Sequence, residues 1–163
     1  MFQLTGEYEC RMDDKGRIKL PAGLIRQLGG SSLPTFVLNR GQEKCLSLFP
    51  KQTWDFTTQQ INSRLNVYDT KHREILRYFY RGATEVSADS ADRILIPKSL
   101  IEYAQLGKDC TIIGYASRIE IWSKSRYEDW LSKEPDDFAK MLDDVKDVLG
   151  GGMPSGNDPS SPR

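Results

Sequence analysis

The 163-residue chain contains one histidine, His72, and no serine or cysteine stands at motif spacing from it. A nucleophile–base pair lacks its usual imidazole, so an enzyme is not the expectation. Flanked by Lys71 and Arg73, His72 reads as an exposed helical residue. The cysteines are few and odd in number: Cys10, Cys45 and Cys110 are far apart, which fits neither a disulfide framework nor a zinc-ligand spacing. They are expected as buried small hydrophobes. No apolar run approaches the roughly eighteen residues that cross a bilayer. The opening "MFQLTGEYEC" lacks the basic region, apolar stretch and cleavage site of a signal peptide, so a soluble cytoplasmic protein is expected. The Gly-rich run "LGGGMPSGNDPSSPR" precedes no helix and is no phosphate loop; residues 150–163 read as a disordered tail. No metal, cofactor or small-molecule substrate is indicated.

Net charge is also missing, with 23 basic and 23 acidic side chains, so the whole molecule exerts no general attraction on a polyanion. The charge is unevenly distributed. Residues 1–33 hold five Lys/Arg against four Asp/Glu and residues 34–81 eight against four, whereas 82–134 hold seven against nine and 135–163 three against six. An anionic partner should therefore meet the front half first.

What is present is a repeat. "MDDKGRIKLP" (Met12 to Pro21) returns as "ADSADRILIP" (Ala88 to Pro97), and with Gly6 set against Gly82 no gap is needed to pair Asp13 with Asp89, Arg17 with Arg93, Ile18 with Ile94, Leu20 with Ile96 and Leu24 with Leu100. After small length changes Leu46, Leu48 and Phe49 align with Ile119, Ile121 and Trp122. Apolar alternation at Tyr8, Cys10 and Met12, and at Ile18 and Leu20, predicts two short strands around a tight corner. Pro21 and Pro97 open short helices that Gly29-Gly30 and Gly107 stop. Two further strands follow, around Phe36–Leu38 and Cys45–Phe49, and around Thr111–Ile113 and Arg118–Trp122. Each unit is β-β-α-β-β.

One such unit is too small to bury a core comfortably, whereas two can share one. The expected fold is α+β: a pseudo-symmetric β-barrel of two interleaved repeats, 1–57 and 82–134, joined by a mostly helical linker, 58–81. Ile75, Leu76 and Phe79 recur at helical spacing in that linker and either seal the barrel or offer a groove to a partner. "DDFAKMLDDVKDVL" predicts an amphipathic helix within 135–149. Trp122, Tyr127 and Trp130 read as core or subunit contacts.

The corner holds the most specific chemistry. Gly16 suits a positive φ, and Asp92, its counterpart, tolerates one. Asp13 and Asp89, four residues before Arg17 and Arg93, are placed to cap turn amides and brace the arginine. Arg11, Lys15, Arg17, Lys19 and Arg26 crowd the first corner and its helix, and guanidinium groups bind phosphates and guanine edges bidentately. Double-stranded DNA is the natural partner for such a cluster, and solvated surface is the plain alternative. Where the first copy has Arg11, Lys15, Arg17 and Arg26, the second has Ser87, Ala91, Arg93 and Glu102, so the first corner is expected to do most of the reading.

Three segments, "GEYECRMDDKGRIKLP", "RYFYRGATEVSADSADRILIP" and "IIGYASRIEIWSKSRYEDW", resemble the MraZ family of bacterial transcriptional regulators, and more distantly the AbrB-like swapped-hairpin DNA-binding domains. The resemblance covers about residues 1–134. It implies two AbrB-like halves, Asp-x-x-x-Arg motifs at Asp13/Arg17 and Asp89/Arg93, ring-like homo-oligomers, location on the nucleoid, and repression through repeated G-rich boxes in the promoter of the division and cell-wall gene cluster. A non-specific nucleoid-associated protein and an oligomeric scaffold that has lost DNA binding remain as alternatives.

Overall fold

The computed structural model describes residues 2–30, 34–133, 138–145 and 148. In the first copy, β1 (Leu4–Arg11) and β2 (Arg17–Lys19) flank the corner, α1 (Ala22–Gln27) follows Pro21, and β3 (Thr35–Arg40) pairs with β4 (Leu46–Pro50). Two helices, α2 (Lys51–Arg64) and α3 (Thr70–Tyr80), then lead to the second copy: β5 (Thr84–Ser87), β6 (Arg93–Leu95), α4 (Lys98–Ala104), β7 (Asp109–Ala116) and β8 (Arg118–Ser123). Helix α5 (Lys124–Leu131) follows.

Local chemistry explains where these elements stop. α1 ends in Gly29 (φ +95°) and Gly30 (φ +60°), and the Gly30 N–H closes onto the Ile25 carbonyl at 3.0 Å, an end that glycine makes without strain. α4 ends three residues before the glycine expected to stop it. There Gln105 takes the left-handed conformation (φ +52°), and the Leu106 N–H reaches the Ile101 carbonyl at 3.0 Å. Leu106 is buried, so tertiary packing sets this end in place of Gly107. α3 begins at Asp69, whose carboxylate accepts from the His72 N–H at 3.0 Å. His72 itself is half-buried, contrary to the expected exposure, because its Nδ1 accepts the Asn66 N–H at 2.9 Å.

The strands interleave. One antiparallel sheet runs β1-β7-β8-β4-β3-β5, and a separate two-stranded ribbon joins β2 to β6. Exchanging each strand for its counterpart, β1 for β5, β3 for β7 and β4 for β8, reverses this order and leaves every pairing intact, so the repeat is written into the topology as a pseudo-twofold. The barrel expected from the sequence is not formed. β1 and β5 are free edges of an open sheet, because β2 and β6 are three residues long and pair with each other; among the described residues a single bridge, Met12 to Ile18, ties the ribbon toward β1.

The core lies between the ribbon, the two short helices and the inner face of the sheet. Its fully buried side chains come in counterpart pairs: Ile18 with Ile94, Leu20 with Ile96, Leu24 with Leu100, Leu46 with Ile119 and Leu48 with Ile121. Each contributes about 1.5–3 kcal/mol by leaving water. Cys45 and Cys110 are buried with them and Cys10 half-buried, all three as free thiols.

The linker does not seal this core. No residue of α3 is buried; Phe79 stacks on Trp54 of α2 with ring centroids 5.6 Å apart, and Ile75 and Tyr78 stay exposed. Residues 2–129 belong to one compact unit. In the second, residues 130–163, α6 (Phe138–Asp144) is described, with Phe138 and Met141 exposed, while the expected tail, 150–163, lies outside the described residues.

Ile18 and Ile94 face each other in register across the ribbon. Ile18→Ala and Ile94→Ala should each cost about 2–5 kcal/mol. Because the two share one contact, urea denaturation of the double variant should show a loss smaller than the sum of the singles. Strict additivity would mean that the copies fold as independent cores.

Candidate nucleic-acid interface

Both corners fold by the same bonds. In the first, the Asp13 N–H donates to the Arg17 carbonyl (2.9 Å) and the Gly16 N–H to the Asp13 carbonyl (3.1 Å); in the second, Asp89 N–H donates to Arg93 (2.8 Å) and Asp92 N–H to Asp89 (3.0 Å). Closing this turn requires a left-handed residue at its fourth position, and Gly16 (φ +79°) and Asp92 (φ +59°) supply it. The corners then reach across to each other. Leu20 N–H donates to the Asp92 carbonyl at 2.8 Å and Ile96 N–H to the Gly16 carbonyl at 2.9 Å, so each copy's left-handed residue anchors the other copy's chain.

Each aspartate clasps its corner. Asp13 Oδ1 accepts from the Lys15 N–H (3.0 Å) and the Arg17 N–H (2.9 Å), while Oδ2 accepts from Arg17 Nε at 2.7 Å. Asp89 repeats this with Ala91 (2.9 Å), Arg93 N–H (3.0 Å) and Arg93 Nε (2.9 Å). The backbone N–H of the arginine is the main cause that holds each carboxyl below the usual aspartate range, with the guanidinium adding to it. Only Nε is used in each clasp. The η nitrogens of Arg17 and Arg93 make no hydrogen bond among the described residues, so the end-on donor pair of each guanidinium is available to an acceptor.

The ribbon decides which side chains share a surface. Ile18 and Ile94 point into the core, so Arg17 and Lys19 of β2, and Arg93 and Leu95 of β6, form the opposite face. In register, Lys19 lies opposite Arg93 and Arg17 opposite Leu95. One patch is thus built from both copies. The other basic residues named from the sequence lie on neighbouring elements: Lys15 is exposed at the turn, Arg26 exposed in the last turn of α1, and Arg11 at the end of β1. Arg11 Nε pairs with Asp109 at 3.5 Å with both side chains highly exposed, a contact of small energetic weight. Beside the first corner, a groove of about 790 Å³ runs between Lys15, β5 and the start of α4, with Leu95, Ile96 and Ile101 on its wall.

Lys19 facing Arg93 was within reach of the repeat. An antiparallel pair centred on the equivalent residues Ile18 and Ile94 forces Lys19 opposite Arg93, so symmetry alone places the second arginine in the first copy's patch. Composition compared copy by copy hides this.

Two predictions follow the corner geometry. Gly16→Val puts a β-branched residue at φ +79° and a Cβ 3.1 Å from Ile101 Cδ1; it should cost about 1–3 kcal/mol in thermal or urea unfolding. A variant as stable as the parent would show that the corner tolerates another conformation. The clasps set an acid limit. With folded-state pKa values of Asp13 and Asp89 lowered, their stabilisation is complete above the usual carboxylate range and is lost as pH falls through it toward the lowered values. The melting temperature should therefore decline between about pH 5 and about pH 2, and an Asp13→Asn, Asp89→Asn double variant should decline less over the same interval.

The family described as "MraZ protein, putative antitoxin-like" matches twice, over residues 3–78 and 79–148. Proteins named transcriptional regulator MraZ align along most of the chain. That of Cytophaga hutchinsonii is 38% identical over 139 residues, covering 85% of this chain and 91% of its own length. The Treponema pallidum protein is 39% identical over 144 residues (88% and 95%), and the Moorella thermoacetica protein 37% identical over 142 residues (87% and 96%). With a doubled family match laid over a doubled, interleaved fold, the chain belongs to the MraZ family.

Proposed function

We propose that this chain is a sequence-specific DNA-binding transcriptional regulator whose reading surface is the outer face of the β2–β6 ribbon. The observation that carries this reading is Lys19 directly opposite Arg93, with Arg17 on the same face. Like charges opposite each other in an antiparallel pair repel, and a phosphate between them reverses the sign of that interaction. Free η nitrogens on Arg17 and Arg93 provide the bidentate geometry that suits a phosphate or the O6/N7 edge of guanine. Lys15 and Arg26 extend the patch along the first copy, and Arg11 adds to its margin. The names of the relatives support regulation of transcription.

The finer reading draws on the family. The chain represses the division and cell-wall gene cluster on the nucleoid by binding repeated G-rich boxes as a ring-like homo-oligomer, with 1–57 and 82–134 as its DNA-facing repeats and 58–81 as the link between them. A neutral chain with so few cations per ribbon holds DNA weakly alone, whereas several ribbons on successive boxes gain avidity. The exposed apolar side chains Ile75 and Tyr78 of α3 suit contact with a second copy.

Binding isotherms on tandem G-rich boxes and on a scrambled duplex, with mass in solution measured in parallel, test this. Arg17→Ala should cost about 1–3 kcal/mol per lost bidentate contact and abolish the preference for the boxes. Arg93→Ala should cause a smaller loss of the same kind. Lys19→Ala should weaken both duplexes alike and lower the salt slope by about one. Equal affinity of the parent for both duplexes would identify a non-specific binder, and no binding at all would identify a scaffold.

A further inference from the structure

Away from the ribbon, the turn between β3 and β4 borders a pocket of about 690 Å³, within the size range of small-ligand sites. Its lining includes four cations, Arg40, Lys44, Arg81 and Arg118, and none of them has an ion-pair partner among the described residues. Among the described residues no carboxylate lines it. Glu120, on the same strand as Arg118, has both oxygens bonded already, to the Tyr115 hydroxyl (2.7 Å) and Trp122 Nε1 (2.9 Å).

Three of the four cations are held in place. The Arg40 guanidinium and the Lys44 ammonium lie 4.6 and 4.5 Å from the centroid of the Tyr103 ring, and the Tyr103 hydroxyl is anchored on the Gly41 carbonyl at 2.6 Å. Arg118 lies 5.0 Å from the Phe49 centroid and donates to Ser47 Oγ at 2.6 Å. Lys44 adopts φ +53°, a conformation that a lysine rarely takes. Glu43 and Glu120 lie in the same neighbourhood but form no ion pair with these cations, and held cations without a direct ion pair are poised for an anion.

A second, independent observation points the same way. Thr53, only 3% exposed, lines the pocket, and its Oγ1 is buried with no hydrogen-bond partner. Arg40 Nε and Arg118 Nε are likewise buried and unpartnered. Buried donors without acceptors are rare because each forfeits its hydration. Here three of them belong to residues lining one pocket.

Nor is the arrangement a by-product of the repeat. By strand register and sequence offset, the counterparts of Arg40, Arg81, Tyr103 and Arg118 are Gly114, Thr5, Gln27 and Cys45, none of them charged. At that end Gln27 bonds the Thr5 backbone instead. The cations, drawn from both copies and the linker, therefore gather at one of the two ends that the pseudo-twofold relates and not at the other.

We propose that this pocket binds a phosphate group, free or carried on a small molecule, as a ligand site separate from the DNA-reading ribbon. Guanidinium and ammonium donors together with a threonine hydroxyl form the donor set that a tetrahedral oxyanion takes up.

The test is calorimetric titration of the full chain, at constant ionic strength, with inorganic phosphate, pyrophosphate, glucose 6-phosphate and, as a carboxylate control, citrate. The exposed residues give the variants: Lys44→Ala and Arg81→Ala leave the core untouched, and Thr53→Val keeps the shape while removing the hydroxyl. The expected result is saturable binding of a phosphate compound, about tenfold weaker in each cation variant, equivalent to the loss of one charge-assisted bond, with DNA affinity unchanged. Tighter glucose 6-phosphate would assign a phosphorylated metabolite, and tighter inorganic phosphate the free ion. The proposal is overturned by no saturable binding of any phosphate compound, by equal binding of citrate, by cation variants that bind like the parent, or by variants whose DNA affinity falls as far as their phosphate affinity.

Discussion

Everything in this molecule depends on the exchange of hydrogen bonds between its two corners. Gly16 and Asp92 each turn the chain through a left-handed residue, and the carbonyl thereby presented is taken by an amide of the other copy, Ile96 in one case and Leu20 in the other. Neither corner can be completed alone. Because the amides lie at the ends of β2 and β6, the exchange also fixes the ribbon register, and the register puts Ile18 against Ile94 at the centre of the core.

The surface follows from the same register. A three-residue strand has one inward residue and two outward ones, so the inward isoleucines leave Arg17, Lys19 and Arg93 together on the outside. The aspartates that stabilise the turns also hold the arginines by Nε, which restrains each guanidinium without occupying its η nitrogens. Folding and presentation of charge are therefore one structural event. Restraining the donor in advance reduces the entropy lost when an anion binds.

Much of this is legible in the sequence, for identifiable reasons. The ungapped match from Gly6 to Leu24 shows two copies, and the small size of each unit implies a shared core. The positive φ of Gly16 is readable because few residues suit a corner of that length. Closure is not readable: whether β1 and β5 join depends on how far β2 and β6 extend, and the alternation is too short to measure that. α5 lies outside the expected elements, since "KSRYEDWL" follows a strand without an obvious cap. Ile75, Leu76 and Phe79 have helical period, yet periodicity does not say what covers the face, and in this chain Trp54 takes Phe79 while Ile75 is left to solvent. The cationic pocket is not legible in the sequence because Arg40, Arg81 and Arg118 are distant along the chain and meet only through the packing of β3, β8 and the end of α3.

The central claim is that residues from both copies act as one DNA-reading surface. Hydrogen exchange of the backbone amides, measured with and without a duplex of tandem G-rich boxes, addresses it directly. Residues 12–20 and 88–96 should gain protection together and to a similar degree, as the ribbon is covered from one side. Protection confined to one of the two segments, or falling outside both, would contradict the account.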